Sequence, residues 1–220
     1  MEKFLSKAKE YIQPGEQRRR LLMTVFGVLV CGLGVSLSRM ADFGVDPFQC
    51  LCSGIYKISP IAQGTTYVLI NAVLLIAVFI YDKHYIGLGT LINMFLLGYV
   101  ADGGEQLMLS IWPRATITLA GQIAFLVAAI LVLCLSGAFY ITADLGVSTY
   151  DAIALHLTAK KLGPYRLLRI GTDLICVGIG FALGYVPGVC TIITALMMGP
   201  LTSFFMDHIA KRVRYGKQAS

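Results

Sequence analysis

Six polar side chains stand out in an otherwise apolar chain: Asp42, Asp46, Asn71, Asp144, Asp151 and Asp173. A carboxylate set in hydrocarbon needs a partner or a water-filled cavity, and there it can bind a cation or take up and release a proton. Four of the five acids come from two nearly identical stretches, A-D-F-G-V-D-P-F-Q from Ala41 to Gln49 and A-D-L-G-V-S-T-Y-D from Ala143 to Asp151, 102 residues apart. Asn71 and Asp173 are separated by the same 102 residues. No HExxH or GxxxxGK[ST] sequence occurs, and His84, His156 and His208 lie far apart. Cys31, Cys50, Cys52, Cys134, Cys176 and Cys190 form no disulfide framework, and C-x-C at Cys50 is too short to imply a metal site. The reading is therefore of a protein with no catalytic residues, no metal and no cofactor.

The residues around the acids say how the chain presents them. Gly44 and Gly146 each follow an Asp by two residues and supply the positive φ at which a helix breaks. Asp46-Pro47-Phe48-Gln49 then offers an N-cap, proline at the first helical position and Gln at the third. Ser148-Thr149-Tyr150-Asp151 offers a capping box with Asp as the returning acid. Short helices are predicted from Pro47 to Ile58 and from Thr149 to Leu162. A dozen residues rise only about 18 Å, so these helices either lie at the interface or dip in as re-entrant segments. Asp42 and Asp144 have two readings, as acceptors for backbone N–H groups at the turn or as linings of a solute or cation path. Asp173 lies four residues beyond Arg169, within reach of a helical salt bridge, and Asn71 can bond a neighbouring helix. Both also qualify as the polar layer of a transport path.

The elements that carry these residues follow from composition. Of 220 residues, 57% are hydrophobic and 14% charged, against roughly 25% charged in soluble domains. Uncharged runs such as Ala115 to Ala143 exceed the roughly 20 residues a helix needs to cross hydrocarbon. An integral membrane protein in the lipid bilayer follows. The net charge of +6 does not indicate nucleic acid, because the basic residues sit in short clusters between apolar runs. Six spans fit: Leu21 to Ser38, Gln63 to Tyr81, Ile86 to Leu107, Thr116 to Tyr140, Leu167 to Gly184 and Val189 to Ile209. They divide the chain into a basic N-terminal segment (1–20), a first membrane repeat (21–110), a second (111–210) and a basic tail (211–220).

With both termini cytoplasmic, the inner side collects fifteen basic residues, Arg20, Arg169 and Arg214 among them, against Arg39, Lys57 and Arg114 outside. That bias obeys the positive-inside rule. G-L-G-T from Gly87 to Thr90 answers G-V-C-T from Gly188 to Thr191, one residue out of the 102 register. Three crossings per unit is an odd number. The expected fold is thus all-α and polytopic, about six transmembrane helices in two inverted three-span repeats, each with a short broken or re-entrant helix. Small residues at helical spacing, Gly27, Cys31, Gly34 and Ser38, then Gly171, Ile175 and Gly178, are read as packing stripes within the fold or between subunits of a homodimer. Trp112, Tyr81, Tyr85, Tyr140, Tyr185 and Tyr215 fall near span ends and are read as interface anchors.

The doubled A-D-x-G-V stretch and the later G-x-x-T stretch resemble the YczE/YyaS/YitT family of bacterial integral membrane proteins, whose halves carry a helix-breaking A-D-L-G-x-x-P-W-D-like segment and a G-x-G-T segment. Gln49 stands where an acid is expected, Thr149 where proline is, and Cys190 where the second glycine is. The resemblance implies a bacterial inner-membrane protein and assigns neither substrate nor catalytic residues. The expected function is a secondary transporter or exporter of a small solute, by alternating access. Its alternative is a non-transporting membrane scaffold or assembly partner. Asp42, Asp46, Asp144 and Asp151 favour a cation or a proton-coupled solute, whereas the helix N-termini at Pro47 and Thr149 favour an anion.

Overall fold

The computed structural model describes residues 14–59, 63–81 and 86–215. The expected inner charges Lys3, Lys7, Lys9, Lys83 and Lys217, and the ring of Tyr85, lie outside these residues. The described chain is helical throughout. Helix α1 (Pro14–Ala41) leads to the short α2 (Pro47–Ile58), then α3 (Gln63–Tyr81) and α4 (Leu88–Ile111). A single 3₁₀ turn, Arg114–Thr116, precedes α5 (Leu119–Ala143), the short α6 (Thr149–Ala159) and α7 (Tyr165–Ala182). Helix α8 (Val189–Phe205) contains Pro200 and widens into a π turn, Met206–Ala210, before a last helical turn, α9 (Lys211–Tyr215). Helix α1 packs along α5 and α4, α2 lies on α7, and α8 fills in against α7 and α5. Gly27 lets α1 approach Tyr140 of α5, and Gly34 does the same at Leu133. A side chain added at Gly171 or Gly178 would meet nothing within 4 Å among the described residues. Large apolar side chains such as Phe95, Val127, Ile175 and Leu196 are exposed on four different helices, the outward surface of a chain whose solvent is lipid.

The expectation of six spans in two inverted repeats is corrected by the structure. Among the described residues, three helices are long and apolar enough to cross a membrane: Gly15–Ala41, Leu119–Ala143 and Val189–Tyr215. The reasons lie in charge and length. Helix α4 carries Asp102 and Glu105 in its second half, and α7 holds Arg166, Arg169 and Asp173 within 18 residues; among the described residues α3 contributes a shorter apolar stretch, Leu69–Ile80. No clear two-fold repeat organises the helices. Pro200 and the π turn of α8 have no counterpart in α4. The likeness of the two halves is confined to two joints.

Those joints share one construction. Asp42 and Asp144 end their helices in the left-handed conformation (φ 57° and 56°), and Gly44 and Gly146 follow at φ 104° and 100°. Asp and Gly are the residues that enter that region at least cost. Breaking a helix in hydrocarbon exposes carbonyls that water cannot satisfy. At the first joint the Phe43 carbonyl accepts from the Cys190 N–H (3.0 Å) and the Val45 carbonyl from the Thr191 hydroxyl (2.5 Å). At the second, the Leu145 carbonyl accepts from the Gly89 N–H (2.7 Å) and the Val147 carbonyl from the Thr90 hydroxyl (2.8 Å). Each donor lies in the first turn of α8 or α4, where helix N–H groups lack partners within the helix. The G-x-x-T stretches are thus the mates of the A-D-x-G-V stretches. A side chain at Gly188 would land on the Phe43 carbonyl, and one at Gly87 on the Leu145 carbonyl.

Two arginines close the far end of α5. Arg20 donates to the carbonyls of Ala143 (2.8 Å) and Asp144 and to the Asp144 carboxylate (3.1 Å). Arg214 donates to the Thr142 carbonyl (2.5 Å) and lies 3.6 Å from the same carboxylate. Cations at a helix C-terminus complement its dipole. The contact also brings the start of α1 and the end of α9 to one end of the molecule. At the opposite end Arg39 pairs with Asp102 (2.7 Å) and Glu105 (3.0 Å), and Glu105 with Arg114 (2.5 Å).

Gly188→Ala forces the first joint and α8 apart and is expected to cost about 1–3 kcal/mol, read as a lower unfolding midpoint in detergent. Gly171→Ala, in open space, leaves that midpoint unchanged or raises it. Thr191→Val removes one donor from the Val45 carbonyl and costs about 0.5–1.5 kcal/mol, a smaller fall of the same midpoint.

Candidate functional site

Each joint leads into a short helix, and the two helices start at a common centre. Asp46 caps α2 as expected, its carboxylate accepting from the N–H groups of Phe48 (3.0 Å) and Gln49 (3.1 Å). Ser148 caps α6 through the Asp151 N–H (3.1 Å) and also donates its hydroxyl to the Asp151 carboxylate (2.8 Å). The Phe48 and Tyr150 rings stack across the two starts, 5.0 Å apart. From there the helices diverge along α7. Helix α2 runs to Gly180, where Gly54 permits backbone contact, and Lys57 reaches the Gly184 carbonyl (2.7 Å). Helix α6 begins against Arg169, nearer the start of α7. Both short helices therefore point their N-termini inward and bury their first turns.

The convergence encloses a cavity of about 150 Å³, room for several waters or a small solute. Its polar lining includes Asp46 and Gln49 from α2, Asn71 from α3, Asn93 from α4, Ser136 and Tyr140 from α5, and Asp151 from α6. Thr149 donates to the Asn71 side-chain oxygen (2.9 Å), fixing α6 to α3.

Arg169 governs the electrostatics. It is 6% exposed, on the fourth turn-facing position before Asp173 on α7. Its Nη1 donates to Asp151, its Nε lies 3.4 Å from Asp173 Oδ2, and its guanidinium sits 4.4 Å above the Tyr150 ring. The Tyr150 hydroxyl in turn donates to Asp173 Oδ1 (2.5 Å). Tyr150 is thus held on one face by Phe48 and on the other by the cation. A guanidinium suits this place because its planar donors can serve two acceptors while its face stacks on a ring.

The six polar residues singled out in the sequence divide by position. Asp46, Asn71 and Asp151 line the cavity. Asp173 stands behind Arg169, fully buried. Asp42 and Asp144 are exposed, and Asp144 is occupied by Arg20 and Arg214. The expected Arg169 to Asp173 pair is present, Arg169 is buried beside the cavity, and Tyr140 is a buried cavity wall, not an interface anchor. The partnership of Arg169 with Asp151 went unread. Its signal was an arginine buried well inside a largely apolar helix, a placement that demands counter-charge.

Comparison with known proteins gives a family and no activity. A family of unknown function, DUF6198, matches residues 18–207. An uncharacterised protein of Haemophilus influenzae is 24% identical over 195 residues, covering 89% of this chain and 87% of that one. The uncharacterised membrane protein YczE of Bacillus subtilis is 22% identical over 190 residues, 86% of each chain. No solved structure matches significantly. The match takes in every residue that lines the cavity, and the chain belongs to DUF6198, a YczE/YitT-like family of multi-pass membrane proteins.

Proposed function

We propose that the protein is a secondary transporter or exporter of a small solute, and that the cavity between the starts of α2 and α6 is its binding site. The observation that carries this reading is the meeting of two inward-pointing short helices around a largely apolar cavity that presents Asp46, Asp151 and Arg169, in a membrane protein. Backbone breaks at membrane depth are tolerated where they line a cavity, and transporters place their substrates at such discontinuous helices. The cavity has the dimensions of a small solute and not of a peptide or lipid. Asp151 offers the solute a carboxylate held in place by Ser148 and Arg169, and Gln49, Asn71 and Asn93 supply neutral donors and acceptors around it.

The experiment is uptake into proteoliposomes, screened over labelled small solutes. For a solute that is moved, Asp151→Asn is expected to slow uptake about 10- to 100-fold, the worth of roughly 1.5–3 kcal/mol for one charge-assisted contact. Asp102→Asn, remote from the cavity, keeps at least half the rate. Equal rates in wild type and Asp151→Asn remove the cavity from the path, and a failure to move any solute returns the protein to the scaffold class.

A further inference from the structure

The charges around the cavity do not balance. Arg169 is the one cation among the described side chains that line it, and it faces two carboxylates, Asp151 and Asp173. Asp46 adds a third. The N-termini of α2 and α6 return roughly half a positive charge each. One guanidinium and two half-charges against three carboxylates leave about one negative charge uncompensated. A net charge buried at membrane depth is costly, and a protein neutralises it by taking up a proton or another cation.

The geometry shows where the deficit is felt. Asp173 is 0% exposed, and among the described residues its Oδ2 receives no hydrogen bond. Arg169 Nε stands 3.4 Å away while the same guanidinium donates through Nη1 to Asp151. One cation is shared between two acids on different elements, the one lining the cavity and the other behind it. The other titratable groups facing this triad are Asp46 from α2, Tyr150 from α6, Tyr165 and Cys176 from α7, Cys31 from α1 and Cys134 from α5. Phenols and thiols are neutral at neutral pH. They cannot supply the missing charge.

Resting on the transporter reading, we propose that the Asp151–Arg169–Asp173 triad holds one exchangeable proton, which a monovalent cation entering the cavity replaces. With the proton bound, the two acids and Arg169 sum to zero, and the cavity is free. When a cation settles beside Asp151, the guanidinium turns its donors to Asp173. The proton leaves the carboxyl for cavity water, and the charge inside is unchanged. One cation enters per proton released, which makes the cycle an exchange of a small monovalent cation, an alkali ion or a protonated amine, for a proton. Two sites that interact this closely share their titration, so the proton belongs to the triad as a unit.

Infrared difference spectra of the full chain in lipid nanodiscs, recorded across pH, test this directly. A carbonyl stretch of a protonated carboxylic acid is expected to titrate in the wild type, to be lost in Asp173→Asn or Asp151→Asn, and to persist in Asp102→Asn. Tyr150→Phe, which keeps the ring and removes only the hydroxyl bonded to Asp173, shifts the band and guards against loss through misfolding. Sodium, potassium and methylammonium chlorides are then added at fixed pH. At least one should diminish the band with release of a proton to a weak buffer, while an uncharged solute of similar size should not. Absence of the band, or its survival in both triad variants, overturns the proton site. A band untouched by all three cations overturns the exchange. If the band behaves as described in a protein that moves no solute, the transporter reading falls and the proton site stands; solute uptake without the band gives the reverse.

Discussion

A carbonyl released by breaking a helix inside hydrocarbon must find a donor in the protein, and this one requirement arranges most of the molecule. The chain breaks at Asp42 to Asp46 and again at Asp144 to Ser148. The donors come from the first turns of α8 and α4, which themselves have N–H groups to spare. Two deficits of opposite sense cancel. Each break is thereby bound to a helix far away in sequence, the short helices are aimed inward, and their first residues meet. The cavity is what remains between them.

The charged groups inside follow from that meeting. A helix start draws an anion, and Asp46 and Asp151 occupy the two starts. Asp151 in turn requires Arg169, and Arg169 brings Asp173 with it on the next turn of α7. The stacked order Phe48, Tyr150, Arg169 locks the arrangement sideways. Such networks derive their strength from full pairing in a low dielectric, and Asp173 Oδ2, without a hydrogen bond among the described residues, is the partly paired member.

Local grammar was legible in the sequence, and long-range pairing was not. Asp46-Pro47 and Ser148-x-x-Asp151 announce their caps because capping acts over three residues, and the structure holds both. Gly44 and Gly146 announce positive φ for the same reason. The left-handed conformation of Asp42 and Asp144 themselves was not legible, since the spacing announced positive φ only at the glycines. The correspondence between G-x-x-T and A-D-x-G-V stretches was visible, but not that one hydrogen-bonds the other, since spacing says nothing about contact. Hydropathy counted α4 and α7 as spans because it averages over Asp102, Glu105, Arg169 and Asp173, whereas in the fold these charges limit the apolar length of their helices. The matched joints likewise suggested a repeat of whole units, although the likeness stops at the joints.

The reach of the two stitches differs, and this bears on biosynthesis. Thr90 precedes the Val147 carbonyl by 57 residues, so the mate of the second break has already been translated when that break leaves the ribosome. Val45 waits 146 residues for Thr191. Through nearly all of translation the first break has no mate, and its carbonyls must stay hydrated or be sheltered by the insertion machinery until the last long helix arrives. Chains ending before Cys190 and Thr191 therefore lack both donors of the first joint.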